Sequence, residues 1–412
     1  MGAGYGLLGE KLGHSYSPEI HKAIGGYDYR LIEVEPENLG EFLTGGDFDG
    51  INITIPYKQA VMPFCAEISQ TAREIGSVNT ILRRRDGSLY GENTDAAGFG
   101  TMIERLGVGV ADKKSLILGS GGSSLTVRYI LGKLGAREVV TVSRGGVNNY
   151  ENIHNHRDAQ IIINATPVGM YPETSARPID LSEFPKAEGV LDLIYNPART
   201  RLLQQAGALG LPYIGGLSML VAQAGAACEL FTGQSVPPAK IREVLADLSR
   251  KMENIIFIGM PGSGKTSIGG FVAKKLERPF VDLDEEIERR WGLPIPEIFS
   301  REGETGFREK ESMVLAEVCK GSGQVIATGG GCVTRQENHP HLRQNGVIVF
   351  IKRELNRLPM EGRPLSLAGN LDEIYRQRKP LYLGLADLCV HNNTRPEKIA
   401  RRVIEKLSTR TL

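Results

Sequence analysis

Short apolar runs bounded by glycine and polar residues recur along the chain, alternating with stretches whose apolar positions return every three or four residues. Ser115-Leu116-Ile117-Leu118, Val139-Val140-Thr141-Val142, Ile161-Ile162-Ile163 and Val190-Leu191-Asp192-Leu193 each read as a buried strand. After the first of these, Val127, Ile130, Leu131 and Leu134 fall at i, i+3, i+4 and i+7, one face of a helix. Strands separated by helices predict an α/β architecture with a parallel, doubly wound sheet. The same alternation, with Gly50-Ile51-Asn52-Ile53-Thr54-Ile55 as its clearest strand, fills the chain from Tyr5 to about Gly98. The stretch from Gly216 to about Leu248 reads as mostly helical. A polar segment, Ser249 to Glu253, then precedes a new strand, Ile255-Ile256-Phe257-Ile258. Downstream, Ile268, Phe271, Val272 and Leu276 mark the buried face of another helix. The expected units are residues 1–98, completed by 217–248; residues 99–216; a linker at 249–253; and residues 254–412.

A chain of 412 residues exceeds one core and points to about three domains. Lys plus Arg number 49 against 48 Asp plus Glu, so no overall field draws the chain to nucleic acid or an anionic membrane. Small-molecule partners are the expectation. The five cysteines are scattered and form no CxxC pair, which argues against a disulfide framework or thiolate zinc site and for a reducing cytoplasm. No basic leader with an apolar core and no span-length apolar run is visible, so a soluble, untargeted chain is expected.

Two glycine-rich loops of different kinds carry the chemistry. Gly119-Ser120-Gly121-Gly122-Ser123 follows a strand and opens a helix, the context of a dinucleotide turn. The GxGxxG match at Gly4 to Gly9 has no strand leading into it and is not assigned to phosphate. The strand after the Gly119 loop ends in Ser143-Arg144, where an arginine suits a 2′-phosphate, so NADP is favoured over NAD. Reduction of a carbonyl by hydride needs a proton donor beside the nicotinamide, and Lys58 with Asp95 has suitable residue types. Spacing alone leaves them equally readable as a surface ion pair. The second loop, Gly259-Met260-Pro261-Gly262-Ser263-Gly264-Lys265-Thr266, is a full Walker A pattern. Its backbone N–H groups would cradle ATP phosphates, Lys265 would reach the transferred phosphoryl, and Thr266 would ligate magnesium. Neither a guanine-specificity signature nor protein-kinase motifs accompany it, which leaves a small-molecule kinase.

His14-Ser15-Tyr16-Ser17-Pro18, Gly50 through Lys58, Ser77-Val78-Asn79-Thr80, Gly91-Glu92-Asn93-Thr94-Asp95, Asn164 through Met170 and Gly216 through Gln223 together resemble shikimate dehydrogenase, in order, from Tyr5 to about Leu248. The resemblance implies that Lys58 is the acid/base and Asp95 its partner, and that Ser15 and Ser17 hold the substrate carboxylate. It implies further that Thr54, Asn79, Asp95, Tyr195 and Gln223 bind the substrate's hydroxyls and carboxylate. NADP(H) would contact Gly119, Ser120, Gly121, Gly122, Ser123, Ser143, Arg144, Leu193 and Gly216. Two departures stand out: Ser143-Arg144-Gly145 replaces the family's usual Asn-Arg-Thr clamp on the 2′-phosphate, and the stretch from there to Asn164 is short; Lys22 also replaces the asparagine that usually follows the second histidine of the first motif.

Asp282-Leu283-Asp284, Gly306-Phe307-Arg308-Glu309, Gly329-Gly330-Gly331, Gly362-Arg363-Pro364-Leu365 and Arg378 through Tyr382 likewise resemble the ordered motifs of shikimate kinase, from about Asn254 to the C-terminus. That resemblance implies that Asp282 with Thr266 supports Mg2+, that Asp284 contacts the acceptor hydroxyl, and that Arg308, Gly330 and Arg378 surround the shikimate carboxylate. Arg363 would stabilise the phosphoryl group from a lid, Gly262 to Ser267 would hold ATP, and Arg357 and Arg395 would border the adenine.

The expectation is therefore a two-reaction enzyme that reduces 3-dehydroshikimate with NADPH and phosphorylates shikimate with ATP and magnesium. Two alternatives accompany it: a quinate/shikimate dehydrogenase with relaxed cofactor use, motivated by Ser143 and Gly145, and a chain in which one half binds ligand without turnover. His154/His156 and His339/His341 lie in polar stretches without a third ligand, Trp291 reads as a packing residue, and Arg83 to Gly87 as a solvated hairpin tip.

Overall fold

Strands that read as unbroken apolar runs are buried on both faces, because each parallel sheet is covered by helices on either side. The protein, a computed structural model, is described at residues 4–13, 15–358 and 371–410; His14 of the first motif and Arg363, expected above to act from a lid, lie outside these. The chain divides into two compact units, Met1–Tyr195 with Thr200–Asp247, and Asn196–Arg199 with Leu248–Leu412.

The first unit holds two sheets. One is mixed, in the order β2-β1-β3-β5-β6-β4, built from β1 (Tyr5–Gly9), β2 (Tyr29–Glu33), β3 (Gly50–Ile53), β4 (Glu67–Ile68), β5 (Thr80–Arg83) and β6 (Leu89–Glu92). The GxGxxG match is thus mostly strand β1 and not a loop. β3 stops at Ile53, and Ile55, which the sequence placed in that strand, is 76% exposed: the chain turns at Thr54, whose carbonyl accepts Tyr57 N–H at 2.9 Å. The Arg83–Gly87 segment does form a hairpin between antiparallel β5 and β6, with Arg84 to Gly87 exposed, yet Arg83 is half-buried. It donates to the carbonyls of Leu43, Gly46 and Phe48 and lies over the Phe48 ring at 4.2 Å.

The other sheet is parallel throughout, in the order β11-β10-β9-β7-β8. Its strands are β7 (Lys114–Leu118), β8 (Glu138–Val142), β9 (Ile161–Asn164), β10 (Gly189–Asp192) and β11 (Tyr213–Gly215). Leu116 and Leu118 enter one core and Ile117 the other. In helix Gly122–Lys133, Val127 and Leu131 are buried, but Leu134 sits at its C-cap and is exposed. Chain order reverses about β7, whose neighbours are β8 and β9, so the crevice at their C-terminal ends is a topological switch point. Helices Leu217–Thr232 and Asp95–Leu106 pack closely: a Cβ at Gly98 would stand 2.7 Å from the Met219 carbonyl oxygen.

Residues 249–252, predicted as linker, instead form the last turn of helix Pro238–Met252. Leu248 and Met252, one turn apart, are buried, and the intervening charges occupy the exposed face.

The second unit carries a parallel sheet in the order β13-β14-β12-β15-β16. It comprises β12 (Asn254–Ile258), β13 (Phe280–Asp282), β14 (Val325–Ala327), β15 (Gly346–Lys352) and β16 (Leu388–His391). Ile256 and Ile258 point into one core, Ile255 and Phe257 into the other. On helix Lys265–Leu276, Ile268 and Val272 are buried while Phe271, predicted inside, is 37% exposed at the margin of that face. Trp291 is half-buried in the first of these cores and carries the Lys310 ammonium 5.2 Å above its ring.

Candidate active sites

In the first unit, β3 runs into a turn that presents Lys58, and helix Asp95–Leu106 begins with Asp95. Lys58 Nζ donates to Asp95 Oδ2 at 2.5 Å, with both side chains largely withdrawn from solvent. Burial changes the weight of this pair, because a shielded ammonium–carboxylate contact is far less screened than a surface one. Lys58 also lies against the glycine loop: a Cβ at Gly122, the first residue of helix Gly122–Lys133, would stand 3.5 Å from Lys58 Cδ. Lys58 and the N–H-rich start of that helix, a terminus whose dipole favours anions, therefore share one crevice.

Asp95 is set by a buried polar net. Asn79 Oδ1 accepts Thr94 N–H at 2.7 Å, and the Thr94 hydroxyl reaches Thr80 Oγ1 at 2.9 Å and Gln223 Oε1 at 3.4 Å. Asn79 thus has its oxygen committed to Thr94, while Gln223 projects from helix Leu217–Thr232 to the same place. Ser15 Oγ donates to Ser17 Oγ at 3.2 Å, at the start of helix Ser17–Gly25. Tyr195 meets Tyr16 edge-on at 6.3 Å between centroids, and burial raises its phenol above the ordinary range. Thr54 is half-buried at the end of β3.

Around the dinucleotide loop, Gly119 has φ +107°, a conformation that glycine tolerates and other residues rarely do. A Cβ there would stand 2.9 Å from the Ala165 carbonyl oxygen. Ser120 and Gly121 are exposed, and Ser123 lies in the first turn of the helix. Gly216 sits flush against Leu193, whose carbonyl oxygen a Cβ would meet at 2.0 Å. Ser143 is tied by its N–H to Asn148 O at 3.1 Å, and Arg144 is exposed beside it. This cradle of small residues, helix N-terminus and exposed arginine fits a phosphorylated dinucleotide.

In the second unit, a cavity of about 470 Å³ is lined by the Walker loop, Asp284, Arg308, Glu311, Gly329 to Gly331, Arg353 and Arg378. Gly259, Gly262 and Gly264 all have positive φ, which curls the loop around its own amides. Lys265 Nζ donates to the carbonyls of Gly259 and Met260 at 3.0 and 3.1 Å. Ser263 is buried, with Asn392 donating to its carbonyl at 2.7 Å, and Ser267 is exposed. Thr266 Oγ1 donates to Asp282 Oδ2 at 2.6 Å, while Asp282 Oδ1 caps helix Leu283–Trp291 through Asp284 N–H. Hydroxyl and carboxylate oxygens side by side are donors of the type magnesium takes.

Burial, then the neighbouring Asp282 charge, pushes the Asp284 carboxyl up to about 6. Arg308 is held by Glu311 at 2.6 Å, and a Cβ at Gly331 would stand 2.2 Å from its Nη2. Arg378 donates to Gly330 O at 3.3 Å. Arg357 is exposed and paired with Glu354, and Arg395 is exposed at the N-cap of helix Pro396–Ser408. Neither lines the cavity. The sequence reading had not singled out Glu311, Arg353, which donates to Gly262 O at 3.1 Å, or Asn392. In the sequence Glu311 follows Arg308 by one helical turn and looks like an ordinary exposed partner.

Against known proteins, residues 7–81 match the shikimate dehydrogenase substrate binding domain and 216–246 the shikimate 5'-dehydrogenase C-terminal domain. The shikimate dehydrogenase (NADP(+)) of Clostridium beijerinckii is 38% identical over 249 residues, 55% of this chain and 91% of that protein. The chain belongs to the shikimate dehydrogenase family. Beyond that part, residues 261–408 match shikimate kinase, so a kinase domain is joined to the dehydrogenase. A crystal structure of a chorismate mutase/shikimate 5-dehydrogenase fusion protein from Clostridium acetobutylicum is 36% identical with a TM-score of 0.58, covering 61% of this chain and 98% of that one. The Thermus thermophilus shikimate 5-dehydrogenase in complex with NADP(H) and shikimate is 32% identical with a TM-score of 0.53, covering 59% and 98%. Among the described residues, no helix is long and apolar enough to cross a membrane.

Proposed function

We propose that the chain performs two consecutive steps of aromatic amino-acid biosynthesis: NADPH-dependent reduction of 3-dehydroshikimate to shikimate, and ATP-dependent phosphorylation of shikimate at its 3-hydroxyl. The observation that carries the first step is the Lys58–Asp95 pair packed against Gly122 at the dinucleotide loop. NADPH, when bound, supplies the hydride. As the carbonyl carbon is reduced, Lys58 gives its proton to the developing alkoxide oxygen, and Asp95 holds the ammonium in place and accepts from a ring hydroxyl. Ser15 and Ser17 bind the carboxylate, with Thr54, Asn79, Tyr195 and Gln223 ordering the ring. Gly119 to Ser123, Ser143, Arg144, Leu193 and Gly216 hold the dinucleotide.

In the second unit, Arg308, Gly330 and Arg378 receive the carboxylate and Asp284 accepts the proton of the attacking hydroxyl. The bond from the γ-phosphorus to ADP then breaks as the bond to the substrate oxygen forms. Lys265 and the Gly262 to Ser267 loop neutralise the phosphates. Thr266 and Asp282 would hold Mg2+, which would supply charge compensation for the phosphates. Arg363 falls outside the described residues and Arg395 lies off the cavity, so the reading rests on neither.

The test supplies 3-dehydroshikimate, NADPH, ATP and magnesium to the purified chain while NADPH and ADP are followed together. ADP formation that requires both NADPH and 3-dehydroshikimate is expected. NADPH loss without ADP would reject the kinase assignment, and no NADPH loss would reject the dehydrogenase one. Repeating the oxidation with quinate and NAD decides cofactor and substrate strictness, where Ser143 and Gly145 depart from the family's clamp.

A further inference from the structure

At the ends of β9 and β10, Asn164 and Asp192 are registered partners and both are fully buried. Asp192 faces three donors: Asn164 Nδ2 at 3.0 Å and Ile194 N–H at 3.1 Å on Oδ1, and the Thr200 hydroxyl at 2.6 Å on Oδ2. Asn164 turns its own oxygen the other way, accepting Thr166 N–H at 3.0 Å and the Thr166 hydroxyl at 2.7 Å. The Thr166 hydroxyl in turn accepts Val168 N–H at 3.2 Å.

These bonds link segments that border the proposed cofactor and substrate. The Asn164–Thr166 loop abuts Gly119, where a Cβ would stand 2.9 Å from both Ala165 O and Thr166 Cγ2. The loop after Asp192 carries Leu193, packed on Gly216, and Tyr195, packed on Tyr16. Among the described residues no cation perturbs this carboxyl, and burial pushes it up to about 6 against the opposing effect of its three donors. A buried acid without a counter-charge is costly, and a carboxylate offers acceptor oxygens on both sides to donors arriving from three segments.

We infer that Asp192 is a positioning residue of the dehydrogenase: through Asn164, Ile194 and Thr200 it fixes the Asn164–Thr166 and Leu193–Tyr195 loops against the cofactor cradle without itself touching substrate or cofactor. This rests on the dehydrogenase reading of the first unit.

The experiment measures NADP-linked shikimate oxidation and, on the same preparations, ATP-linked phosphorylation of shikimate. Asp192→Ala removes the acceptor from all three donors and should raise the KM for NADP by about tenfold or more, since small displacements of positioning groups are expensive. Asp192→Asn keeps an oxygen for Asn164 and Ile194 and can turn its amide to the Thr200 oxygen, and should return KM to within about threefold of wild type. Kinase turnover should be unchanged in both variants.

Wild-type KM in Asp192→Ala, or a KM in Asp192→Asn as high as in Asp192→Ala, would overturn the inference. So would a fall in kcat alone with both KM values intact. If Asp192→Ala does not yield soluble chain, Thr200→Val decides. It frees one carboxylate oxygen and should raise the KM for shikimate through the Tyr195 loop, and an unchanged value overturns the proposal. A wild-type chain without NADP-linked oxidation would instead reject the dehydrogenase reading, before any variant is compared.

Discussion

A lysine ammonium held 2.5 Å from a carboxylate, beside the start of helix Gly122–Lys133, would under the proposed reading have a task that water performs poorly, because the proton must arrive as the hydride does. Lys58→Ala should lower dehydrogenase kcat by about 10² to 10⁴, the usual worth of a positioned acid, with kinase turnover on shikimate unchanged; a loss below about tenfold would remove Lys58 from the chemistry. Asp192 offers a prediction of a different kind. Its carboxyl rises from 3.8 to about 6 in the fold, so between those values the native chain keeps a proton that the unfolded chain has released. Stability from this group is therefore fully present below the unfolded value and is lost as pH rises through about 6, by up to about 3 kcal/mol. Urea unfolding of the first unit should show the advantage of wild type over Asp192→Asn shrinking from pH 4 to pH 7. An advantage growing over that range would contradict the burial account.

At the scale of elements, close approach of loops explains which glycines matter. Gly119 combines φ +107° with a neighbouring carbonyl 2.9 Å from any Cβ, so Gly119→Ala should cost about 1 to 3 kcal/mol and raise the KM for NADP more than that for shikimate. A variant with equal effects on both would show the loop to be structural only. The strands were readable because burial on both faces gives unbroken apolar runs, as in β7, β9 and β12. Helix faces were less so: Leu134 and Phe271 fit the spacing yet lie at a C-cap and at a face margin. The polar stretch after Leu248 read as a linker because the exposed face of a helical turn and a loop have the same composition. The glycine loops and the ordered motifs made both sites visible in the chain. The Asp192 net and Glu311 were invisible, since their meaning comes from partners that only folding brings near, such as Thr200 with Asp192 and Gly329 with Glu311.

For the molecule as a whole, the order of the two reactions follows from the substrate's own chemistry. The ketone of 3-dehydroshikimate offers no hydroxyl at the position where the kinase is proposed to act, and the reduction proposed for Lys58 would create that hydroxyl. The kinase site, with Asp284 aimed into the cavity beside Arg308, therefore has no acceptor there until the first reaction has run. A consequence for equilibrium follows without any transfer between sites: removal of shikimate as its phosphate draws the reduction forward by mass action. At NADPH and NADP concentrations that bring the first step to rest, adding ATP and magnesium should restart NADPH oxidation in wild type. In Lys265→Ala it should stay at rest, while the initial rate of NADPH oxidation matches wild type. In Lys58→Ala, ATP should do nothing with 3-dehydroshikimate yet give ADP at the wild-type rate when shikimate itself is added. Restarted oxidation in Lys265→Ala, or ADP from Lys58→Ala supplied with 3-dehydroshikimate and NADPH, would refute the assignment of one reaction to each unit. Mixing the two variants tests the remaining point: if shikimate passes through solution, the mixture should restore ADP formation from 3-dehydroshikimate after a lag that shortens as enzyme concentration rises.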